Sequence, residues 1–455
     1  MGGDIPLEQP LLAVLRHLPT PRRYLIAFSG GLDSTVLLHA LAHLAPEVGV
    51  PVAAVHIHHG LQAPADQWLD HCLMQCAALS VPCEAFRVSV ARDSGEGLEA
   101  SARRARYQAI AGVMQEGDML LTAHHQNDQA ETLLLQLLRG SGVAGLAAMA
   151  PVKPFAQGWH ARPLLDVSRS QLKAYAEAAH LSWIDDPSNF DISLERNHLR
   201  QRVMPLLFER NKAVAATLSR SARHFAEAAE LLDELAEIDL PKTHGSREGT
   251  LSVRVLRRLA PARQRNLLRY WIRTAGFRLP DTRHLQRICD EVLPAAPDRT
   301  PLVQWSGAEV RRYRDDLFLM VPLPPAPAGA IPWDLSAPLL LPNGAGALTA
   351  RPAEGAGLSA ERLTKGCVEV RFRSGGEQCR PRGRWETHSL KKLLQDQGIP
   401  PWERETLPLL FVDGQLAQVG NLWCCEPYAA QPGETGIVIE WLPAAIENRS
   451  QNNDN

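Results

Sequence analysis

Six consecutive residues, Ser29-Gly30-Gly31-Leu32-Asp33-Ser34, combine two hydroxyls, two glycines and one carboxylate. Glycine lets a backbone come close to a ligand. Serine hydroxyls and the open amides of a helix start suit the oxygens of a phosphate. Asp33 would repel a bare phosphate, but it suits a magnesium ion carried by pyrophosphate. The run is placed to act this way. Tyr24-Leu-Ile-Ala-Phe28 before it is an apolar run long enough for one buried strand. Val36, Leu37, Leu38 and Leu41 after it recur at helical spacing. The six residues therefore stand where a strand gives way to a helix.

Further polar groups follow. His56-Ile-His-His-Gly60 closes a second apolar run that begins at Val52. Leu98 to Tyr107 puts Glu99 and Arg103 at helical i,i+4 spacing, and Arg103 and Arg106 on one face. This is either a surface ion pair or an arginine that reaches a nucleotide or a reacting base. His124-His125-Gln-Asn-Asp128-Gln-Ala-Glu131-Thr132 opens another helix, with Asp128 and Glu131 three apart. Acids in a first turn serve the helix dipole, and two carboxylates at a ligand edge could also grip an ammonium group. A metal hydrolase would use the same residue types, but the short spacings such as H-E-x-x-H are absent. Asp185 to Arg200 is a dense polar run rich in turn residues. It includes Asn189 and leads into a helix on which Arg196, Asn197 and Arg200 share part of one face. Arginine suits planar anions and stacking on bases.

These residues need a scaffold, and the pattern supplies one. Apolar strands at Tyr24, Val52–Ile57, Cys83–Val88 and Met119–Ala123 alternate with helical stretches at Asp66–Leu79, Leu98–Met114 and about Asn127–Leu138. That alternation predicts a parallel sheet covered on both faces, with ligands at the carboxyl ends of its strands. From about Asn211 to Val292 the pattern is helical and charged. Val321 to Pro332 is a proline-rich connector, and mixed strand and helix signals follow. The expected domains are 1–210, 211–322, a linker at 323–337, 338–445, and a disordered tail at 446–455. The expected class is α/β, with a parallel-sheet nucleotide-binding domain, a helical middle domain and a small mixed α+β domain at the end.

Composition narrows the reading further. A chain of 455 residues with 45% apolar and 22% charged content is ordinary for globular proteins. Its net charge of −2 does not by itself point to nucleic acid. The charge is uneven, however. Arg254, Arg257, Arg258, Arg263, Arg265, Arg269 and Arg273 come with no acid among them. Arg371, Arg373, Arg380, Arg382, Arg384, Lys391 and Lys392 form a second basic stretch. Two basic faces on a near-neutral chain fit a phosphate backbone, or simply solvated helix faces. The eight cysteines form no Cys-x-x-Cys pair and are expected to be reduced core residues. No zinc site is expected. No signal pattern and no apolar run of membrane length occurs, so a soluble, cytoplasmic protein without a membrane partner is expected.

The Ser29–Ser34 run resembles the PP-loop of enzymes that split ATP between its alpha and beta phosphates. No G-x-x-x-x-G-K-[ST] run is present and the first strand carries no G-x-G-x-x-G fingerprint, so AMP and pyrophosphate are the implied products. The runs taken together resemble the tRNA(Ile)-lysidine synthase family. The matching motifs are Ser29–Ser34, His56–Gly60, Glu99–Tyr107, His124–Thr132, Arg139-Gly-Ser-Gly142 and the Asp-x-Ser-Asn…Arg-Asn-x-x-Arg run ending at Arg200. Gly383 to Arg404 is similar to that family's last domain. Asn127 departs from the pattern, where a second Asp is common.

The resemblance implies ATP-dependent joining of L-lysine to carbon 2 of the cytidine at the first anticodon position of a tRNA(Ile) with a CAU anticodon. The route passes through an adenylated cytidine. Ser29, Gly30, Gly31, Leu32, Asp33, Ser34 and His56 would bind ATP, with Asp33 steadying Mg2+. Asp128 and Glu131 would take the lysine amines. Asn189, Asn197 and Arg200 would bind substrate. Asp33, Asp128, Glu131, Arg103 and Arg196 would carry the chemistry. The 338–445 domain would bind the acceptor stem of the tRNA. A homodimer is left open. The alternatives are another PP-loop tRNA-modifying enzyme, such as a thiolase, or a tRNA-binding protein with a dead nucleotide site.

Overall fold

A computed structural model describes residues 7–60, 64–90, 98–296, 299–325 and 329–443. The expected tail at 446–455 lies outside the described residues. The chain divides into two compact units after Glu234.

In the first unit the apolar runs become strands β1 Tyr24–Ala27, β2 Val52–His58, β3 Cys83–Arg87 and β4 Met119–Leu121. Two further strands, β5 Val152–Phe155 and β6 Gly158–Ala161, were not foreseen. The sheet order is β3-β2-β1-β4-β6-β5, parallel except for the β5–β6 hairpin. β1 lies between β2 and β4, pairing Tyr24 with Val52 on one side and with Met119 on the other. The loops leaving β1 and β4 therefore flank the place where strand order reverses, which is where open α/β sheets hold ligands.

Alternation along β1 explains its burial on both faces. Tyr24 and Ile26 join one core with Leu37, Leu38 and Leu41 of helix α2 (Leu32–Val48), which follows α1 (Glu8–His17). Leu25 joins the other with Tyr107 and Ile110, on the helix Leu98–Val113. Neighbouring side chains on a strand point to opposite faces, so both layers of helices gain an apolar contact.

In the second unit the helix Pro261–Thr274 packs Leu267, Leu268, Trp271 and Ile272 into one core with Val303, Val310 and Leu317. Those last three belong to a four-stranded antiparallel sheet. Strands at 302–320 thus stand beside the helices expected there. Toward the end of the chain come a five-stranded sheet and another four-stranded sheet, with the helices Leu390–Asp396 and Pro401–Thr406. The expectation that all eight cysteines are reduced is corrected here. Cys379 and Cys425, both buried, meet as a disulfide, because a fold contact joins residues that sequence spacing does not relate. Cys72 and Cys76 are free and buried in the first unit. Among the described residues no helix is long and apolar enough to cross a membrane.

Candidate active site

The turn after β1 takes the shape its residues allow. Gly30 has φ +80, a left-handed conformation, and a Cβ there would sit 2.6 Å from Ile184 Cδ1 and 2.9 Å from Cys72 Sγ. Only glycine fits both constraints. The Gly30 carbonyl accepts the Ile184 amide at 2.9 Å and the Thr35 hydroxyl at 3.3 Å. Gly31 is the N-cap of α2 and no side chain caps the helix, so its first amides remain open for an anion. The Ser34 hydroxyl donates to the Gly31 carbonyl at 3.0 Å, and Ser29 Oγ lies 3.1 Å from it. The His56 Nδ1–H donates to the Phe28 carbonyl at 2.9 Å. Burial lowers the pKa of His56, which keeps the ring neutral. His56 thus braces the backbone one residue before the loop.

Asp33, in the first turn of α2, has one buried oxygen, Oδ1, with no protein partner. Its other oxygen, Oδ2, lies 3.5 Å from His125 Nε2. An orphaned carboxylate oxygen beside an open helix start fits a hard cation delivered with phosphates. Among the described residues no cluster of three or more His, Cys, Asp or Glu side chains could hold a metal by itself.

His125 is the N-cap of helix α5 (Gln126–Leu138; the helices between α2 and α5 are α3 Ala65–Ala78 and α4 Leu98–Val113). Its Nδ1 accepts the amides of Asn127 at 3.2 Å and Asp128 at 3.4 Å, and Asp128 Oδ2 accepts the His125 amide at 3.1 Å. This is a reciprocal capping box with histidine in place of Ser or Thr. His125 Nε2 lies 3.5 Å from Asp128 Oδ2 as well as from Asp33. Burial alone would lower the pKa of His125, but Asp128 and then Asp33 outweigh it and raise it. The cap opposes protonation at Nδ1, which would set N–H against N–H. Nε2–H is present in either form and faces both carboxylates.

Asp128 and Glu131 are buried and saturated. Arg196 and Arg200 each donate to Asp128 Oδ1, at 3.0 and 2.9 Å. Arg196 Nε donates to Glu131 Oε2 at 3.0 Å. Arg200 grips Glu131 with two nitrogens, at 2.7 and 2.8 Å. Burial would raise the pKa of Asp128, but His125 and Arg196 hold it well below the usual carboxylate range. Arg196 lies on the short helix Glu195–His198, which runs into a π-helical turn, Leu199–Val203, that carries Arg200. Such a turn often marks a functional segment. Behind the cluster a cavity of about 150 Å³ is lined by Asn127, Glu131, Arg169, Arg200, Met204 and Phe208.

The other expected residues are spread around this centre. Arg103 is exposed, its guanidinium 5.0 Å from the centre of the Tyr107 ring. The side chain of its expected partner Glu99 lies outside the description. Asn197 is buried, and its amide donates to the Ser188 and Asp191 carbonyls at 2.9 Å each. That use holds the 186–191 loop in shape. Asn189 lies exposed on that loop. Asn127 turns to accept the Arg169 amide at 3.1 Å. His125 is the residue that spacing alone missed. A histidine just before a helix with Asp three residues later was its only signal.

Of the two basic stretches, part is consumed internally. Arg263 pairs with Asp239, Arg371 with Glu369, and Arg373 with Glu377. Arg257, Arg258, Arg382, Arg384, Lys391 and Lys392 are exposed. Beside Arg384, Trp385 is 96% exposed.

Comparison with known proteins places this geometry in context. A PP-loop domain matches residues 6–207, a TilS substrate binding domain matches 251–318, and a TilS substrate C-terminal domain matches 368–441. A tRNA(Ile)-lysidine synthase of Coxiella burnetii is 43% identical over 442 residues, covering 97% of this chain and 98% of that protein. Another from Methylococcus capsulatus is 44% identical, covering 92% and 96%. A third, from Alkalilimnicola ehrlichii, is 44% identical, covering 92% and 94%.

Proposed function

The chain belongs to the tRNA(Ile)-lysidine synthase family, and we infer that it performs that family's reaction with the residues described above. The enzyme is an AMP-forming ligase that modifies tRNA. ATP adenylates the carbonyl oxygen on carbon 2 of the cytidine at the first anticodon position of a CAU-bearing tRNA(Ile), releasing pyrophosphate. The lysine amine then attacks that carbon, and AMP leaves. Adenylation is needed because a ring oxygen is a poor leaving group.

The observation that carries this reading is the link from the glycine loop to the carboxylate pair. His125 spans Asp33 and Asp128 at 3.5 Å each. A nucleotide seated at the start of α2 therefore lies beside the place where an amine can be held. The open amides of α2 and Ser29 would take the pyrophosphate oxygens, and Asp33 would hold Mg2+ through its free oxygen. Magnesium would neutralise phosphate charge during displacement.

Asp128 and Glu131 suit the ammonium groups of lysine. Arginine already fills them, so a lysine amine gains a carboxylate contact only when Arg196 or Arg200 yields one. The yielding guanidinium becomes available to an anion or to the flipped base. Lysine and Mg2+, the site residues and the division of the chain into 1–210, 211–322 and 338–445 are parts of this proposal. So is tRNA binding by the exposed Arg257–Arg258 and Arg382–Lys392 faces.

A thiolase reading has less support. Burial drives the Cys72 thiol up to about 12, so it stays protonated and unreactive. The deciding assay incubates the protein with ATP, radiolabelled lysine and an unmodified CAU tRNA(Ile) transcript. Label in the RNA, with AMP and pyrophosphate in step, is expected. Its absence sinks the proposal.

A further inference from the structure

A chain of hydrogen bonds runs from Arg162 to the histidine next to the N-cap, and its direction can be worked out. An arginine only donates. Arg162 faces His160 Nδ1 at 3.3 Å, so Nδ1 carries the lone pair. The proton of neutral His160 is therefore on Nε2, which lies 2.8 Å from Thr122 Oγ1 and donates to it. The Thr122 hydroxyl accepts that bond and gives its single hydrogen to His124 Nδ1, 2.7 Å away. The opposite direction would require His160 to accept at both nitrogens, which an imidazole cannot do at neutral pH. His124 is left with its hydrogen on Nε2. Among the described residues His124 bonds through Nδ1 to Thr122, and the residue is only partly buried.

We propose that His124 is a neutral imidazole, locked as the Nε2–H tautomer, that donates to an anionic oxygen of the reacting nucleotide, with Thr122, His160 and Arg162 as the positioning residues. The nucleotide part rests on the function proposed above. Three features support the assignment. His124 leaves the carboxyl end of β4, the strand next to the glycine-loop strand, and adjoins His125, which faces Asp33. The charged groups around it are Asp128 on α5, Arg162 beyond β6, Arg196 on the Glu195–His198 helix and Arg103 on α4. Asp128 is already neutralised by two arginines, so the field favours an anionic acceptor over a neutral carbonyl.

The same surroundings keep the ring neutral. Burial, opposed by Asp128 and helped by the arginines, pushes His124 down to about 3, and burial with Arg162 pushes His160 down to about 2. A donor that does not ionise serves as a fixed dipole for charge building on a phosphoryl oxygen, and it gives up no proton.

The test uses the full chain with ring-15N histidine, His124 being assigned by its loss in His124→Gln. At pH 7 its Nε2 should be protonated and its Nδ1 not, and this should persist at pH 5, where an ordinary histidine is charged. Thr122→Val should loosen the tautomer and slow single-turnover pyrophosphate release. Thr122→Ser, which keeps the hydroxyl, should restore both. His124→Ala should slow that release about a hundredfold, the usual loss for one such donor, with little change in KM for ATP. A wild-type His124 protonated on Nδ1 or carrying two protons at pH 7 overturns the proposal, as does full-rate release by His124→Ala. Absence of pyrophosphate release in the wild type would instead strike the enzymatic reading, leaving the tautomer result to stand by itself.

Discussion

His125 holds its Nε2 3.5 Å from Asp33 Oδ2 while its Nδ1 caps α5, so one ring ties the loop after β1 to the helix after β4. The two duties can be separated. His125→Ala should lose the cap, about 1 kcal/mol of stability, together with most activity. His125→Asn should recover the stability, since Asn caps well, but not the activity. Thermal unfolding and single-turnover pyrophosphate release check this. Activity that returned with the cap would reduce His125 to a structural residue.

Asp33→Ala should abolish AMP formation at any magnesium concentration. Asp33→Asn keeps the size but loses the charge, and should leave only a trace of activity that rises with added Mg2+. The measurement is AMP formed against a magnesium titration. Normal turnover in Asp33→Ala would remove the cation role.

Glu131→Gln should weaken lysine binding while sparing adenylation. Losing one charge-assisted contact predicts a 10- to 100-fold rise in KM for lysine, at about 1.5–3 kcal/mol. Pyrophosphate release with tRNA and ATP but no lysine should remain near the wild-type rate. An unchanged KM for lysine would move the amine site elsewhere.

Acid should destabilise the first unit. His124 and His160 have folded pKa values of about 3 and about 2, far below that of an unfolded histidine. Below pH 6.5 the unfolded chain therefore takes up protons that the folded one refuses. Stability is full above that pH and falls as pH drops toward the folded values, by up to about 1.4 kcal/mol per pH unit for each ring. Unfolding midpoints should decline from pH 7 to pH 5, and His160→Gln should flatten the decline. A slope identical in wild type and variant contradicts it.

Trp385, 96% exposed beside Arg384, should touch the body of the RNA. A base stacked on it is worth about 1–3 kcal/mol, so Trp385→Ala should raise KM for full-length tRNA roughly 5- to 150-fold. An anticodon stem-loop alone should be unaffected. Arg384→Ala should lower the salt slope of binding by nearly one unit. Equal losses on both RNAs would relocate the contact.

Much of this protein could be read from order along the chain. The alternation of β1 to β4 with helices specified a parallel sheet, because a period of two and a period of 3.6 leave different apolar patterns. The Ser29–Ser34 run could be recognised because glycine, hydroxyl and carboxylate must stand next to one another for one turn to cradle phosphate. The local pairs Asp128 and Glu131, and Arg196 and Arg200, were visible as helix faces. That these four saturate one another was not, since Glu131 and Arg200 are 69 residues apart. The same holds for His125 reaching Asp33 and for Arg162 orienting His124 through two intermediaries. The β5–β6 hairpin and the Cys379–Cys425 pair also escaped, for their strands are short and their partners distant. Sequence periodicity records which face a residue turns to its own element. Which charge meets which across elements depends on how the sheet brings strand ends together, and only the folded chain decides that.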